Sequence, residues 1–194
     1  MGFIPLINLL NSVFLVYLSV KKSKTYQNDF FVDGLTNSIV NTISGDSFQT
    51  EISIFTKKDL IQVTKTNNWL FNWRKELKAL DREVFKLTIE NNLNVIQGLT
   101  SLTINHDHVF IHLIENAPFN RGKKKLYEGV PGNLVAYACK ISFERGNQGF
   151  VSFHAKTKLI DHYINSLGAY HFGGHLMVID TDAASKLVNK YFKS

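Results

Sequence analysis

Apolar positions along this chain change period several times, and each change marks an element. Residues 51–55 alternate as a strand with one buried face does, and Thr56 stands as N-cap for a helix over 57–64. Residues 69–80 carry Trp69, Leu70, Trp73, Leu77 and Leu80 at the spacing of one helical face. Three strand-like runs follow at 84–90, 95–104 and 108–116, separated by the turn residues Asn91-Asn92 and Asn105-His106-Asp107, which predicts an antiparallel meander. A helix over 132–145 puts Leu134, Ala138 and Ile141 on one stripe and stops at Gly146. Residues 150–154 predict another strand, and 158–167 a strongly amphipathic helix ended by Gly168. Two short strands, 169–172 and 175–179, flank Gly173-Gly174, and Thr181 caps a last helix with Ala184, Leu187, Val188 and Tyr191 inward. The order β-α-α-β-β-β-α-β-α-β-β-α is an α/β fold with a mixed, mostly antiparallel sheet flanked by helices.

The stretch before residue 50 follows no such pattern. Residues 3–20 are almost free of charge, but Pro5, Asn8 and Asn11 interrupt them and Lys21-Lys22 follow. Eighteen residues is short for a membrane span, and a secretory signal would carry positive charge before the run and a small-residue cleavage site after it. A packed apolar helix or a loosely ordered leader is therefore expected ahead of a membrane contact through 3–20. Residues 23–48 are polar and mixed, and read as a connector with one short helix around 35–43. The expected division is an extension over 1–48 and a domain over 49–194.

Composition narrows the picture. With 44% hydrophobic and 20% charged residues, the chain belongs with globular proteins rather than disordered ones. A net charge of +6 suits an anionic partner such as a nucleotide-like cofactor, nucleic acid or acidic lipid, and a merely basic surface accounts for it equally well. Cys139 is the only cysteine, so no intrachain disulfide can form, which fits a reducing, cytoplasmic setting. Its place on an apolar helix face marks it as a small buried hydrophobe rather than a nucleophile.

Candidate chemistry gathers at residues 121–146. Arg121, Lys123, Lys124 and Lys125 lead into Gly129-Val130-Pro131-Gly132, and that loop opens directly into the helix. Free backbone N–H groups and the positive end of the helix dipole converge at such a helix start, which suits a phosphate or pyrophosphate. The strand over 108–116 comes just before, so strand, glycine loop and helix make a phosphate-site arrangement. A run of lysines beside Tyr127 also allows a non-catalytic, nucleic-acid or other anionic partner, although no nucleic-acid motif accompanies it. His106, Asp107 and His108 cluster in a turn without a fourth ligand at recognisable spacing, so no metal is expected.

This order, with the glycine loop after the meander, resembles the GNAT superfamily of acetyl-CoA-dependent N-acetyltransferases over about residues 50–180. The superfamily loop reads Arg or Gln, two residues, Gly, one residue, Gly or Ala, then a helix opening on an apolar pair. Leu126-Tyr127-Glu128-Gly129-Val130-Pro131-Gly132-Asn133-Leu134-Val135 fits that frame, and Tyr163 with Gly168-Ala169 is similar to the family's Tyr ahead of Gly-Phe. Leu126 and Pro131 depart from the frame: neither side chain donates a hydrogen bond, and Pro131 lacks an N–H. The Tyr163–Gly168 spacing is also one residue long.

The resemblance implies acetyl transfer from acetyl-CoA, as co-substrate, to a primary amine on a small molecule or peptide, directly within a ternary complex and without a metal. It implies a cofactor cleft where the fourth and fifth strands of the family sheet part, expected here after Ile114. The backbone of Leu113 and Ile114 would pair with the pantetheine amides. The amides of Gly129, Val130, Gly132 and Asn133 would hold the pyrophosphate, helped by Lys124 and Lys125. Glu115 is the candidate base, against the plain alternative of a solvated strand-end carboxylate, and Tyr163 the candidate acid for the departing thiolate, against core packing. His112 lies three residues before Glu115, so the two point to opposite faces unless a bulge intervenes. His154 is expected to be structural. The departures in the loop leave open a degenerate member that binds CoA or another anionic partner without acetyl transfer.

Overall fold

The computed structural model describes residues 27–33 and 38–192, so the apolar run over 3–20 lies outside the described residues. A seven-stranded sheet organises the chain. Its strands are β3 (Thr50–Ile54), β4 (Glu83–Ile89), β5 (Asn92–Ile104), β6 (Val109–Asn116), β8 (Val151–His154), β9 (Tyr170–Gly173) and β10 (Leu176–Ile179). They lie in the order β3-β4-β5-β6-β8-β10-β9, antiparallel throughout except for β6 beside β8. A small second sheet sets β1 (Ile39–Asn41) between β2 (Ser47–Phe48) and β7 (Tyr127–Glu128). The helices are α1 (Trp73–Lys78), α2 (Val130–Glu144), α3 (Ile160–Leu167) and α4 (Thr181–Tyr191).

Alternation along the strands separates two cores. Phe85, Leu87, Ile111 and Ile114 face the main core with Leu134, Ala138, Tyr163 and Leu187 from the helices. Val84, Leu99 and Leu113 point the other way, onto Phe55, Trp69 and Trp73. At Gly98 β5 lies close against the head of α2, since a Cβ there would come 2.6 Å from Val130 Cγ1. The glycine loop is thereby seated against the sheet.

At two places where the elements differ from expectation, a named side chain has redirected the backbone. The helix over 57–64 is reduced to one 3-10 turn at Asp59–Ile61. Asp59 takes the N–H and hydroxyl of Thr56 on one oxygen and Lys86 Nζ, at 2.6 Å, on the other, and so closes the turn. The helix over 69–80 begins only at Trp73, N-capped by Asn72, because the N–H groups of Leu70 and Phe71 are directed to Glu115. Asp180, not Thr181, caps α4 through Ala183 N–H at 2.9 Å. In place of a helix around 35–43, the described residues from Ser38 form β1, held by β2 and β7 on its two sides. Ile39 of β1 is fully buried, and Phe30 and Val32 join it in the main core.

Candidate active site

The β5–β6 register places Ser101 opposite Leu113 but Leu102 opposite Ile111, leaving His112 as the extra residue of a bulge. A bulge bends its strand and ends regular pairing on the far side. Accordingly β6 and β8 run together only from Val109 opposite Val151 to Ile111 opposite Phe153, and they part after Ile111 rather than after Ile114.

Residues 28–33 fill the gap. Asn28 donates its backbone N–H to His154 O at 2.6 Å, and its carbonyl accepts from Lys156 N–H at 3.1 Å. Its side-chain amide spans to the other edge, donating to Ile111 O at 3.4 Å and accepting from Ile114 N–H at 3.2 Å. Phe30 lies against Phe153 and Tyr163, and its carbonyl accepts from the Tyr163 hydroxyl at 2.7 Å. Phe31 stacks on His162, and Val32 N–H donates to His162 Nε2 at 2.9 Å. Asp33 reaches the glycine loop: one oxygen accepts from Gly129 N–H and the other from Lys125 Nζ, both at 2.9 Å. Sequence reasoning missed this segment, although Asn28, Phe30 and Val32 are buried while Asp29 and Phe31 are exposed. The sequence carries no matching alternation, since Asn28 and Asp29 are both polar and Phe30, Phe31 and Val32 all apolar.

Gly129 is the N-cap of α2 at φ 89°, a left-handed conformation that glycine adopts without steric cost, and no side chain caps the helix. Val130, Gly132 and Asn133 form the buried first turn around Pro131. Asn133 is spent within the protein, contrary to expectation: its backbone N–H donates to Gly129 O at 3.0 Å, and its side chain donates to the same oxygen at 2.9 Å and accepts from Thr50 Oγ1 at 3.2 Å. Lys125 is half-buried and also meets Glu128 at 3.1 Å, while Lys124 is exposed. Burial alone would lower the Lys125 ammonium, but the bonds to Asp33 and Glu128 outweigh it and hold its pKa above the ordinary lysine value. Leu113 projects into the second core and Ile114 into the main one, so neither side chain faces the cleft, and the Ile114 N–H is held by Asn28.

Glu115 is buried and caged. It accepts from Leu70 N–H and Trp73 Nε1 at 2.6 Å each, and from Phe71 N–H and Arg121 Nη1 at 3.4 Å each. Burial pushes its carboxyl up, and the bonds from Leu70, Trp73 and Phe71, with the Arg121 charge, pull it back only in part. Tyr163 is fully buried, and burial likewise raises its phenol. The bulge turns His112 towards the Glu115 face, yet His112 has a partner of its own, Thr103 Oγ1 at 2.7 Å. Because that hydroxyl donates to Asp81 O, the imidazole carries its proton on Nε2. Burial, then the Arg82 charge, lowers the His112 pKa to about 4.

Between residues 29–33 and the 70–71 loop lies a cavity of about 370 Å³, lined by Asp29, Phe31, Asp33 and Phe71 together with Glu115 and Arg121. The other candidates serve the fold. His108 bridges Asp107 at 2.6 Å and Asn105 at 3.1 Å within its turn, and among the described residues no group of three or more His, Cys, Asp or Glu is placed to hold a metal. Cys139 is fully buried in α2 and its thiol is pushed up by burial. Among the described residues no helix is long and apolar enough to cross a membrane.

No protein-family model matches the sequence, and no curated protein matches it. Solved structures do. Mutant forms of the spermidine/spermine N-acetyltransferase from Vibrio cholerae superpose with a TM-score of 0.53 at 17% identity, covering 71% of this chain and 97% of that one. A chimera of the Vibrio cholerae spermidine N-acetyltransferase and hSSAT gives a TM-score of 0.51 at 18% identity, covering 71% and 99%. The likeness to these solved structures is one of fold, and this chain has the GNAT superfamily fold.

Proposed function

We propose that the protein is an acetyl-CoA-dependent N-acetyltransferase acting on a primary amine by direct transfer in a ternary complex. The observation that carries this reading is the chemistry of the cleft between β6 and β8. One end presents the Ile114 N–H and the carbonyls of Ile111 and His154, groups that now hold the amides of Asn28. The other end presents Gly129 N–H and Lys125, which now hold a carboxylate. Amide-binding edges followed by an anion seat suit the pantetheine and pyrophosphate of acetyl-CoA, which would supply the thioester. The named acetyltransferases of like fold support the same class.

In this reading Gly129, Val130 and Gly132 offer backbone N–H groups to the pyrophosphate, while Lys125, with Lys124 nearby, supplies charge. Leu126 and Pro131 add nothing there. Tyr163 gives its hydroxyl proton to the departing thiolate once the Phe30 carbonyl has withdrawn. Glu115 holds the 70–73 loop at the wall of the acceptor cavity, and it acts as base only by exchanging one of its present donors for the amine. The acceptor enters through the cavity on that side.

A second reading, a GNAT-fold protein that does not acetylate, is favoured by one observation: Glu115 and the Tyr163 hydroxyl are both engaged within the chain. Thiol release from acetyl-CoA over a panel of amines separates the two. Turnover by the wild type that falls about ten- to ten-thousand-fold in Tyr163→Phe is the expected result. No release with any amine, even when residues 28–33 have been freed, would establish the second reading.

A further inference from the structure

We infer that Asn28–Asp33 is a built-in, displaceable occupant of this cleft, latched by Asp33, and that it competes with an extended ligand carrying amides and ending in a phosphate-type anion. The identity of that ligand as CoA rests on the acetyltransferase reading; the latch does not.

The contacts are those a ligand would make. Asn28 forms a single isolated bridge with Ala155 instead of a ladder, and it satisfies both strand edges through one residue's main chain and side chain. The segment then runs to the head of α2, where the Asp33 carboxylate holds the Gly129 N–H and the Lys125 ammonium, one oxygen to each. An amide at the parted strands and an anion at the helix start reproduce, within the chain, the two recognition elements of the cleft. Between these two ends the outward-facing residues are held only near the surface. Asp29 pairs with Lys156 near the surface, and Phe31, 59% exposed, lies on one face of His162. Asn28, Phe30 and Val32 are the segment's buried, inward-facing residues.

The consequence is quantitative: apparent affinity equals intrinsic affinity multiplied by the fraction of molecules with the segment released. A segment docked in ninety-nine molecules of a hundred would thus weaken a competing ligand about a hundredfold.

The test uses the full chain, wild type and Asp33→Asn, with hydrogen exchange read at residues 27–33, β5 and α2 during titration with CoA. Asp33→Asn keeps the side-chain size but gives up the charge that Lys125 holds. The expected results are exchange at the Asn28 and Val32 amides at least tenfold faster, β5 and α2 unchanged, and CoA bound at least tenfold more tightly. In the wild type, saturating CoA should by itself accelerate exchange at Asn28 and Val32, a measurement that stands if the variant folds poorly. Equal CoA affinity in the two proteins would overturn the latch, and so would protection of residues 27–33 that falls only together with that of β5 and α2. Release of the segment in Asp33→Asn with no CoA binding by either protein would overturn the acetyl-CoA reading and sustain the latch.

Discussion

Glu115 and Asp33 line one cavity and are held in different ways. Glu115 takes four donors from the 70–73 loop and Arg121, and Arg121 is itself fixed by the carbonyl of Asn68. Asp33 has one backbone N–H and one lysine, and its segment is joined to the strands by hydrogen bonds without a regular ladder. A buried carboxylate satisfied from several sides is held in place by the scaffold, because removing any partner leaves costly unpaired groups. A carboxylate on the head of a helix occupies a seat that other anions can take. Two acidic side chains in one cavity therefore carry different meanings, and burial alone does not distinguish them.

The strongest way to break this comparison is through the two aromatic anchors. Trp73→Ala removes a fully buried ring and a Glu115 donor, and should cost about 3–5 kcal/mol in urea unfolding. Phe30→Ala should cost the global transition less, because its segment can undock before the sheet unfolds. Equal losses would place both regions in one cooperative unit.

Next in size is acid sensitivity on the scaffold side. The folded pKa of His112 is depressed from 6.5 to about 4, so the unfolded chain takes up the proton first as pH falls. Stability contributed by neutral His112 is complete above about pH 6.5 and is lost progressively towards pH 4, by about 3 kcal/mol. His112→Gln keeps a donor for Thr103 but cannot charge, and should flatten that part of the profile of melting temperature against pH. An unchanged profile would remove His112 from the account.

Glu115→Gln turns an NH2 group towards donors that need an acceptor, and should cost about 1.5–3 kcal/mol whatever ligand is present. A melting temperature equal to that of the wild type would mean that the cage does not hold the 70–73 loop. The smallest expected change is Tyr163→Phe, which deletes the bond to the Phe30 carbonyl and should lower stability by about 1 kcal/mol, read by thermal melting. Exchange at residues 27–33 should rise with it, and no rise would detach Tyr163 from the segment.

Most of the architecture was legible because its patterns are local. The meander, α2 with its glycine loop, the amphipathic α3 and the Gly173-Gly174 hairpin all follow from periodicity and turn chemistry. Two of the errors arose where a distant side chain captured the backbone. Glu115 drew the N–H groups of Leu70 and Phe71 out of a helix, and Asp59 closed a turn through Lys86. For the site, the glycine loop and the parting strands could be read, with the parting misplaced from Ile111 to Ile114 because a bulge leaves no mark in a single strand's pattern. The occupancy of the cleft could not be read, since nothing local to Asn28 or Asp33 names Ile114 or Gly129 as a partner.

Docking of residues 28–33 also has a place in time. The partners of the segment are far along the chain, with Tyr163 separated from Phe30 by 133 positions. At a synthesis rate of about 5–20 residues per second, Phe30, Phe31 and Val32 wait roughly 7–27 s before the last wall of their cleft emerges. Contacts of such long range form late, because the chain entropy of closing the loop must be met before any of them contributes. Until Tyr163 emerges the Phe30 carbonyl lacks its donor, so docking of the segment is completed only after β6, the glycine loop and β8 have been synthesised.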